Sequence, residues 1–568
     1  MLITLIIWIY SITIAYIYGW FIWFLVKAKP IKNNELRDYP LIILMGMCAL
    51  TTIASIFSLF MPIGFLAHLL VFVIAVLILV WGIITNKFTL PKFKTLNFNL
   101  TIILTIFVFT VIFLNVLENA THLSSNPDSG IYHAQAIRWI ETFPVVPGLG
   151  NLHTRFAYNS AWLVLNALFS FSFLGGQSYH LTGSLIYLIT LSYFFCGVID
   201  IIKINLSYSS IIKVLLIPVS FITLASDISS PGTDLPATLL TWVIICEWVQ
   251  LVEERKNLLS ARYIIIVILS IFCITIKLST LPMLLIPIIV IISSIKNRNM
   301  RCITLVITSS LFIFIPWIFR NTIISGYIIY PQTLIDIFNF DWKIPLEFVK
   351  DEQISIITWA RNSGLPSSEA IKLPTITWIN IWFSKLTTNR KLILLSTIAM
   401  PIVVGFFVSI FPQKTKSIKN IIHKQTLVYI LCFWGIIYWF ITAPDYRFGY
   451  GFLIITSFSS IALIIKFFYE HMIKYKKYIN QLLLIILFLS QSFILFRSFE
   501  SETISERFIA PLEYPSLPTS PCEGYNFTIF CADFYAECWY DPFPCIPYTN
   551  PAVGLRKSSF MDGFRVIE

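Results

Sequence analysis

Long apolar runs recur along the whole chain and restrict what it can fold into. The first, residues 2–26, carries no charged side chain and is long enough to cross the hydrocarbon core of a bilayer as a helix. It lacks a basic leading segment and a small-residue cleavage site, so it predicts a retained span rather than a signal peptide. Within lipid, every backbone polar group must be bonded internally, which favours helices. The sequence therefore predicts an all-α polytopic membrane protein.

The composition of the chain favours the same class. The chain is 57% hydrophobic and only 12% charged, with a mean hydropathy of +0.80, whereas soluble proteins carry about 25% charged residues. The formal net charge is +11, but the basic residues lie between apolar runs rather than along one surface. That distribution argues against a nucleic-acid partner.

Fourteen apolar segments are predicted to span the membrane and to form a helical domain over residues 1–497. The piece 161–174 is shorter than the roughly 20 residues that a crossing needs, so we expect a re-entrant or interfacial helix there. The predicted spans are residues 2–26, 41–60, 65–85, 100–117, 179–202, 211–226, 235–252, 263–278, 281–295, 302–319, 391–411, 425–443, 449–467 and 479–497.

The orientation follows from lysine and arginine in the short loops. One set of loops carries basic clusters, as in 27–37, 255–262 and 414–424, whereas the alternate short loops hold almost none. The positive-inside rule makes the first set cytoplasmic. We therefore expect both termini and two large loops, 118–178 and 320–390, on the outer side of a plasma (inner) membrane.

The residues after the last apolar run, 498–568, have a different composition and are rich in proline, aromatic residues and cysteine. They predict a small, loop-rich extracytoplasmic tail. Its four cysteines, Cys522, Cys531, Cys538 and Cys545, can pair in three ways, and the sequence does not choose among them. Their spacings lack the CxxC pattern of zinc sites, so disulfides are favoured over a metal.

The first large loop carries an unusual density of ionisable residues for a chain of this kind, including three of its seven histidines. An Asn-Pro-Asp-Ser-Gly turn places Asp128 before a predicted helix at 131–142. A carboxylate held there could act as a general base or as a metal ligand. The simpler interpretation is that Asp128 or Ser129 caps the helix. Tyr132 and His133 follow about one turn later and lie near Asp128.

A stiff connector with two prolines and two glycines, residues 143–153, would return His153 and Arg155 towards Asp128. Arginine suits phosphate because its guanidinium binds two oxygens at once. Arg138 and Arg155 are therefore candidate ligands of a lipid phosphate. The alternative is a structural loop anchored at the interface by aromatic side chains.

Four residues in other outer loops extend the candidate substrate site. Asp234 and Asp445 lie in short polar turns, and Lys277 and Arg447 break the charge asymmetry of these loops. A basic residue that departs from the sorting rule is a better functional candidate than one that follows it. The alternatives are a local Asp445–Arg447 pair and a lysine that extends its side chain to the interface.

With these residues in view, the chain resembles GT-C-type membrane glycosyltransferases, which have many spans and a catalytic acid in the first large outer loop. Residues 128–133 (Asp-Ser-Gly-Ile-Tyr-His) and 147–153 (Pro-Gly-Leu-Gly-Asn-Leu-His) also resemble a poorly characterised group of bacterial polytopic membrane proteins associated with that superfamily.

The resemblance implies a polyprenyl-phosphate-linked sugar donor, a glycan, lipid or protein acceptor, and transfer at the extracytoplasmic face among membrane lipids. By the same resemblance, Asp128 would activate the acceptor or hold a divalent metal, Mg²⁺ or Mn²⁺. No cofactor is indicated by the residues themselves.

Three other functions fit a polytopic chain. An O-antigen polymerase or ligase would depend on arginines of the later loop, such as Arg320 and Arg361. A lipid or polysaccharide transporter would need a polar pathway, but charge inside the spans is sparse apart from Glu247. A structural or assembly protein would tolerate substitution of the outer-loop acids.

Overall fold

Each apolar segment that the sequence predicts to span forms a helix. The computed structural model describes residues 1–26, 36–88, 100–203, 206–362, 364–412, 414–471, 476–499, 504–533, 536–549 and 552–567. Its helices are α1 (Leu2–Leu25), α2 (Asp38–Phe57), α3 (Phe65–Ile84), α4 (Leu100–Ala120), α5 (Ala134–Thr142), α6 (Leu149–Leu152), α7 (Ala161–Leu168), α8 (Thr182–Ile202), α9 (Tyr208–Leu224), α10 (Asp234–Glu253), α11 (Ala261–Ile276), α12 (Leu285–Lys296), α13 (Met300–Ser325), α14 (Leu346–Asn362), α15 (Ser367–Ala370), α16 (Thr375–Lys385), α17 (Thr388–Ile410), α18 (Lys416–Lys424), α19 (Thr426–Thr442), α20 (Tyr446–His471), α21 (Lys476–Phe499) and α22 (Ile504–Arg507).

The prediction of an all-α polytopic membrane protein is confirmed. Among the described residues, 11 helices are long and apolar enough to cross a membrane, and the pair α18–α19, bent by 64°, adds one more if it is counted as a single span. The described apolar parts of α11 and α21 are shorter than that criterion. The exact number of fourteen spans stays a prediction.

The first two helices pack with their backbones in close contact. A Cβ atom on Gly19 would lie 1.7 Å from the Ile42 carbonyl oxygen, and one on Gly46 would lie 1.7 Å from that of Ala15. Residue 19 of α1 lies opposite residue 42 of α2, and residue 15 lies opposite residue 46, so the two helices are antiparallel. Small residues at a helix crossing allow this close approach. In lipid, the hydrophobic effect does not drive helices together, so close van der Waals packing stabilises the pair instead.

The segment predicted to be re-entrant contains α7, an eight-residue helix that packs against α2 and α5. All of its side chains are buried, and eight residues are too few to cross a bilayer. This piece therefore contains a short buried helix, and its predicted re-entrant or interfacial position stays a prediction.

One end of the bundle is held by a buried ionic cluster. Arg37 binds Glu254 at 2.6 Å, and Arg262 binds Asp38 at 2.6 Å and lies 3.7 Å from Glu247. These residues belong to the ends of α2, α10 and α11 that carry the basic loops. The nearby basic residues at positions 27, 29 and 32 lie outside the described residues.

The tail forms two disulfides and two small sheets. Cys522 pairs with Cys531 and Cys538 with Cys545, which confirms the preference for disulfides and selects one of the three pairings. The first sheet has the order β1-β2-β3, with β1 and β2 antiparallel and β2 and β3 parallel, and the second pairs β4 with β5 antiparallel. The strands are β1 (Thr519–Pro521), β2 (Phe530–Ala532), β3 (Cys545–Ile546), β4 (Val553–Leu555) and β5 (Phe564–Val566).

The tail is bonded to the first large loop through Gln135. The amide of this buried side chain donates to the carbonyls of Trp539, Tyr540 and Pro542 at 2.9–3.1 Å, and its oxygen accepts from the Cys545 N–H at 3.0 Å. The loop closed by the Cys538–Cys545 disulfide is thereby fixed on the helical segment that follows Asp128.

We predict that Gln135→Leu loosens this contact. Leucine keeps the volume but leaves the Trp539 and Pro542 carbonyls and the Cys545 N–H without this partner, at about 1–3 kcal/mol for each unsatisfied group. Hydrogen–deuterium exchange of the purified chain should show faster exchange in peptides covering 536–549. Gln332→Leu, at an exposed position, is the control. Equal protection in Gln135→Leu and the control would contradict this account of the tail.

Candidate functional site

Asp128 lies between α4, which ends at Ala120, and a π-helical turn, Ser129–His133, that leads into α5. The side chain of Asn126 fixes this turn: its oxygen accepts from the Asp128 N–H at 3.0 Å, and its amide donates to Asp227 at 2.9 Å. The carboxylate of Asp128 makes no capping bond to the helix, so the capping interpretation is wrong for this residue. Its oxygens are directed at arginines instead.

Two arginines from distant parts of the chain bind the Asp128 carboxylate. Arg155 Nη1 lies 3.3 Å from Oδ1, and Arg447 Nη1 lies 3.2 Å from Oδ2. Arg447 also lies 3.4 Å from Asp445 and 3.7 Å from Asp234. Asp234 in turn pairs with Lys277. Six residues that the sequence singled out thus form one network, the Asp128 cluster: Asp128, Arg155, Asp234, Lys277, Asp445 and Arg447.

The helices explain why these residues meet. Asp234 begins α10, Lys277 directly follows α11, and Arg447 lies in the first turn of α20, so all three lie at the same end of the bundle. The side chains range from 10% exposed for Asp234 to 32% for Arg155. Charges this far from water are stable only when paired, and here three carboxylates face three cations. The cluster is half-buried.

A wall of aromatic and acidic groups borders the cluster on the Arg155 side. The guanidinium of Arg155 lies 5.7 Å from the ring centre of Tyr132. Glu352, on α14, accepts hydrogen bonds from the Tyr158 hydroxyl and from Thr154 Oγ1, the latter at 2.7 Å. The loop 320–390 therefore reaches the first large loop and adds a carboxylate beside it. The sequence showed this acid but gave no sign of its partners, since they are 194 and 198 residues away.

A chain of buried hydroxyls connects the two loops behind Asp128. Ser129 Oγ lies 2.9 Å from Ser124 Oγ and 2.8 Å from Ser230 Oγ, and the Gly232 N–H donates to Ser230 at 3.0 Å. Serines are common in loops, so sequence reasoning did not single out this contact. It fixes the turn that carries Asp234 to the turn that carries Asp128.

His133 lies beside this hydroxyl chain. A Cβ atom on Gly232 would approach its ring to 3.2 Å, and the ring of Tyr132 lies 4.2 Å away. The imidazole is buried, and neither of its nitrogens has a hydrogen-bond partner within the described part of the chain. Burial lowers the pKa of His133 to about 4, so the ring is neutral at pH 7.

Two predicted site residues, Arg138 and His153, make their contacts outside the Asp128 carboxylate. The guanidinium of Arg138 binds Asp541 and the Tyr540 carbonyl, and it stacks over the Tyr540 ring at 4.3 Å, so the tail occupies it. The side chain of His153 accepts a hydrogen bond from the Arg155 backbone N–H at 3.3 Å and so caps the turn that carries Arg155. It therefore acts on the cluster by positioning Arg155.

The residues near Asp128 do not fit a metal site. Both oxygens of Asp128 face guanidinium groups, and no group of three or more His, Cys, Asp or Glu side chains within the described ranges could hold a metal ion. A cation at Asp128 would have to displace Arg155 and Arg447. We therefore derive no chemistry through Mg²⁺ or Mn²⁺.

Fold and site together define a polytopic membrane protein with a network of paired charges at one end of its helices. The chain matches, over residues 1–454, the model of a family described as a domain of unknown function (DUF8201), and it belongs to that family. The match includes every residue of the Asp128 cluster. No curated protein and no solved structure matches the chain.

A further buried acid, Glu141, lies at the far end of α5 from Asp128. Its two oxygens accept from the Ser178 hydroxyl at 2.8 and 2.9 Å, and that hydroxyl also reaches the Tyr540 hydroxyl at 3.2 Å. Burial raises the pKa of Glu141 to about 7, while hydrogen bonds from serines oppose the shift. The acid therefore stays largely protonated in slightly acidic conditions.

This pKa predicts a pH-dependent stability. The unfolded carboxyl loses its proton near 4.5 and the folded one near 7, so this group destabilises the fold as pH rises between those values, by about 3 kcal/mol in all. In detergent, Glu141→Gln should raise the unfolding midpoint relative to wild type more at pH 8 than at pH 5. Exposed Glu347→Gln is the control. A gain that is equal at both pH values would contradict the assignment.

Proposed function

We propose that this chain is a GT-C-type glycosyltransferase with fourteen spans, which moves a sugar from a polyprenyl-phosphate-linked donor to an acceptor at the extracytoplasmic face of the plasma (inner) membrane. The observation that carries the proposal is the position of Asp128. It lies in the first large loop, soon after a span, and is held by two arginines from separate segments at the end of an apolar bundle.

The side of the membrane is inferred from two features. The disulfides Cys522–Cys531 and Cys538–Cys545 lie in the tail that covers the first large loop, and disulfides persist in oxidising compartments. The basic loops lie at the opposite ends of α10 and α11, where the positive-inside rule predicts the cytoplasm. Both features support an extracytoplasmic Asp128 cluster.

The chemistry needs a base and a group that stabilises phosphate. Asp128 takes the proton of the acceptor hydroxyl as the acceptor oxygen bonds to the anomeric carbon of the sugar. The bond from that carbon to the phosphate oxygen breaks, and its electron pair stays on the phosphate. The products are the glycosylated acceptor and polyprenyl phosphate, and no nucleotide is consumed. Water then takes the proton from Asp128.

The cluster offers a way to couple donor binding to activation of the base. In the structure, the cations Arg155 and Arg447 bind the Asp128 carboxylate. A donor phosphate would compete for the same guanidinium groups, because phosphate oxygens are strong acceptors for arginine. As the phosphate takes Arg447, the carboxylate is released to accept a proton. Lys277, already paired with Asp234, adds positive charge beside the leaving group.

The ligase alternative has less support. Arg320, which it would use, is 3% exposed and is bonded to Ser58 and Asn159 in the interior of the protein. Arg361 is stacked over the ring of Trp378 at 4.7 Å. Neither arginine joins the Asp128 cluster, so a mechanism that relies on these side chains would need a different site.

The first test is transfer by the purified chain in liposomes with a panel of polyprenyl-phosphate sugars. We expect Asp128→Asn to lower turnover by about 10²–10⁴-fold, the usual contribution of a general base, with an unchanged gel-filtration profile. Asp336→Asn, an exposed acid of the loop 320–390, should keep full activity. A chelator should have no effect. Full turnover by Asp128→Asn would reject the assigned base, and transfer abolished by a chelator would reinstate a metal.

A second test addresses the leaving group. Arg447→Gln should lower kcat by about 10²-fold, as expected for loss of a group that stabilises transition-state charge. Arg447→Lys should recover part of this loss, because lysine keeps the charge but not the planar fork. Arg298→Gln, at the opposite end of the helices, is the control. If Arg447→Gln changed only KM, the arginine would bind the ground state alone.

A further inference from the structure

At the end of the bundle opposite Asp128, a cleft opens between the α10–α11 turn and the α18–α19 bend. Its volume is about 480 Å³. The floor is made by Trp248 and Tyr263, whose rings meet edge to face at 5.3 Å. Arg255, Lys256 and Lys424 are exposed and stand around it. The cleft thus combines an aromatic base with a basic rim.

The sequence builds this cleft through one bend. The helices α18 and α19 meet at 64°. Gln425, between them, is buried and donates from its amide to the Val249 carbonyl of α10 at 3.0 Å. This bond holds the bend against α10, next to Trp248.

The basic residues of the rim have few acidic partners. Lys256 lies 3.9 Å from Glu254, but that carboxylate is already bound by Arg37 at 2.6 Å. Neither Arg255 nor Lys424 has an ion-pair partner in the described part of the chain, and none of the residues that line the cleft is acidic. An anion can therefore bind here without displacing a carboxylate, unlike in the Asp128 cluster.

The cleft continues into a surface that faces lipid. Leu427 belongs to its lining and is followed along one face of α19 by Ile430, Trp434 and Ile441, all exposed. This row of apolar side chains follows helical spacing from the cleft towards the other end of the span. A ligand of the cleft can therefore have both a charged group and a long apolar part.

The neighbouring α18 turns a basic face outward. Ile418 is buried and Ile421 and Ile422 are half-buried, whereas Lys416 and Lys419 are exposed. The apolar face of α18 packs on the hydrophobic core of the protein, so its exposed face is the basic one. Basic residues beside a membrane span attract anionic lipids, and those of α18 add positive charge beside the rim of the cleft.

We propose that this cleft is a binding site for a membrane lipid with an anionic phosphate head group. The phosphate is bound by Arg255, Lys256 and Lys424, and the acyl chains lie against Leu427 and the exposed row of α19. Phosphate oxygens accept from guanidinium and ammonium groups, and the apolar row selects a lipid over a soluble phosphate. This site is independent of the proposed transferase activity.

The test uses the full chain purified in an uncharged detergent. Thermal unfolding is followed while dioleoylphosphatidylglycerol, dioleoylphosphatidylcholine or glycerol 3-phosphate is added. We expect phosphatidylglycerol to stabilise the wild type at concentrations at least about tenfold below those needed for phosphatidylcholine, a difference of about 1.4 kcal/mol. Both lipids carry the phosphate, but the choline ammonium of phosphatidylcholine cancels its charge and would lie beside the basic rim. Glycerol 3-phosphate should have no effect.

The variant Arg255→Gln/Lys256→Gln/Lys424→Gln should lose the preference for phosphatidylglycerol. A matched variant, Lys203→Gln/Lys296→Gln/Arg298→Gln, removes the same charges from exposed positions at the same end and should keep it. Native mass spectrometry of both variants counts retained lipids and supplies a second readout that needs no unfolding.

Three results would overturn the proposal. Equal stabilisation of the wild type by both lipids would show that the head-group charge is not recognised. Full stabilisation by glycerol 3-phosphate would identify a soluble anion as the ligand. Loss of the preference in the matched variant as well would mean that only total charge matters. None of these outcomes depends on sugar transfer.

Discussion

The pairing of Asp128 with Arg155 and Arg447 is the constraint on which the arrangement of the loops depends. A charge at the edge of an apolar bundle is costly without a partner, and the three residues come from the first large loop and from the start of α20. Forming these ion pairs brings Asp128 and Arg447 together, although 319 residues separate them in the chain. Asp234 and Lys277 then complete the charge balance, so the ends of α10 and α11 must lie there as well.

A second layer of contacts determines the direction in which Asp128 points. The Gly130 carbonyl accepts from the N–H groups of Cys538 and Trp539 at 2.9 Å, and a Cβ atom on Gly130 would lie 2.6 Å from the Trp539 ring. The tail therefore packs directly on the π-helical turn. Such turns often occur at functional sites because they displace side chains from regular helical positions. Here the Asp128 carboxylate points away from the start of the helix and towards Arg155 and Arg447.

Sequence reasoning succeeded where a charge was out of place. Arg447 and Lys277 were singled out because basic residues are rare in these loops, and both lie in the Asp128 cluster. It failed where a residue had two suitable partners and only the fold could choose between them. Arg138 suits a phosphate as well as it suits Asp541, which lies 403 residues away. The role of Gln135 was equally hidden, since an uncharged amide in a short amphipathic helix gives no signal. The helices themselves were predicted because apolar length is a local property, whereas the number that cross depends on where the membrane lies.

The Asp128 cluster and the basic rim of the cleft use basic residues in different ways, and this difference has consequences for binding. In the Asp128 cluster each cation faces a carboxylate, so an incoming anion must first replace an existing pair. The incoming anion takes over guanidinium contacts that a carboxylate already made. Binding therefore favours ligands whose oxygens have a similar geometry. At the opposite end, Arg255 and Lys424 have no described carboxylate partner, and their attraction for an anion is opposed only by solvent and salt. The first arrangement favours selectivity and coupling to chemistry, whereas the second favours simple retention of an anion at the membrane surface. The two sets of basic residues therefore differ in whether an acidic partner is already present, and this difference underlies the two proposals made for them.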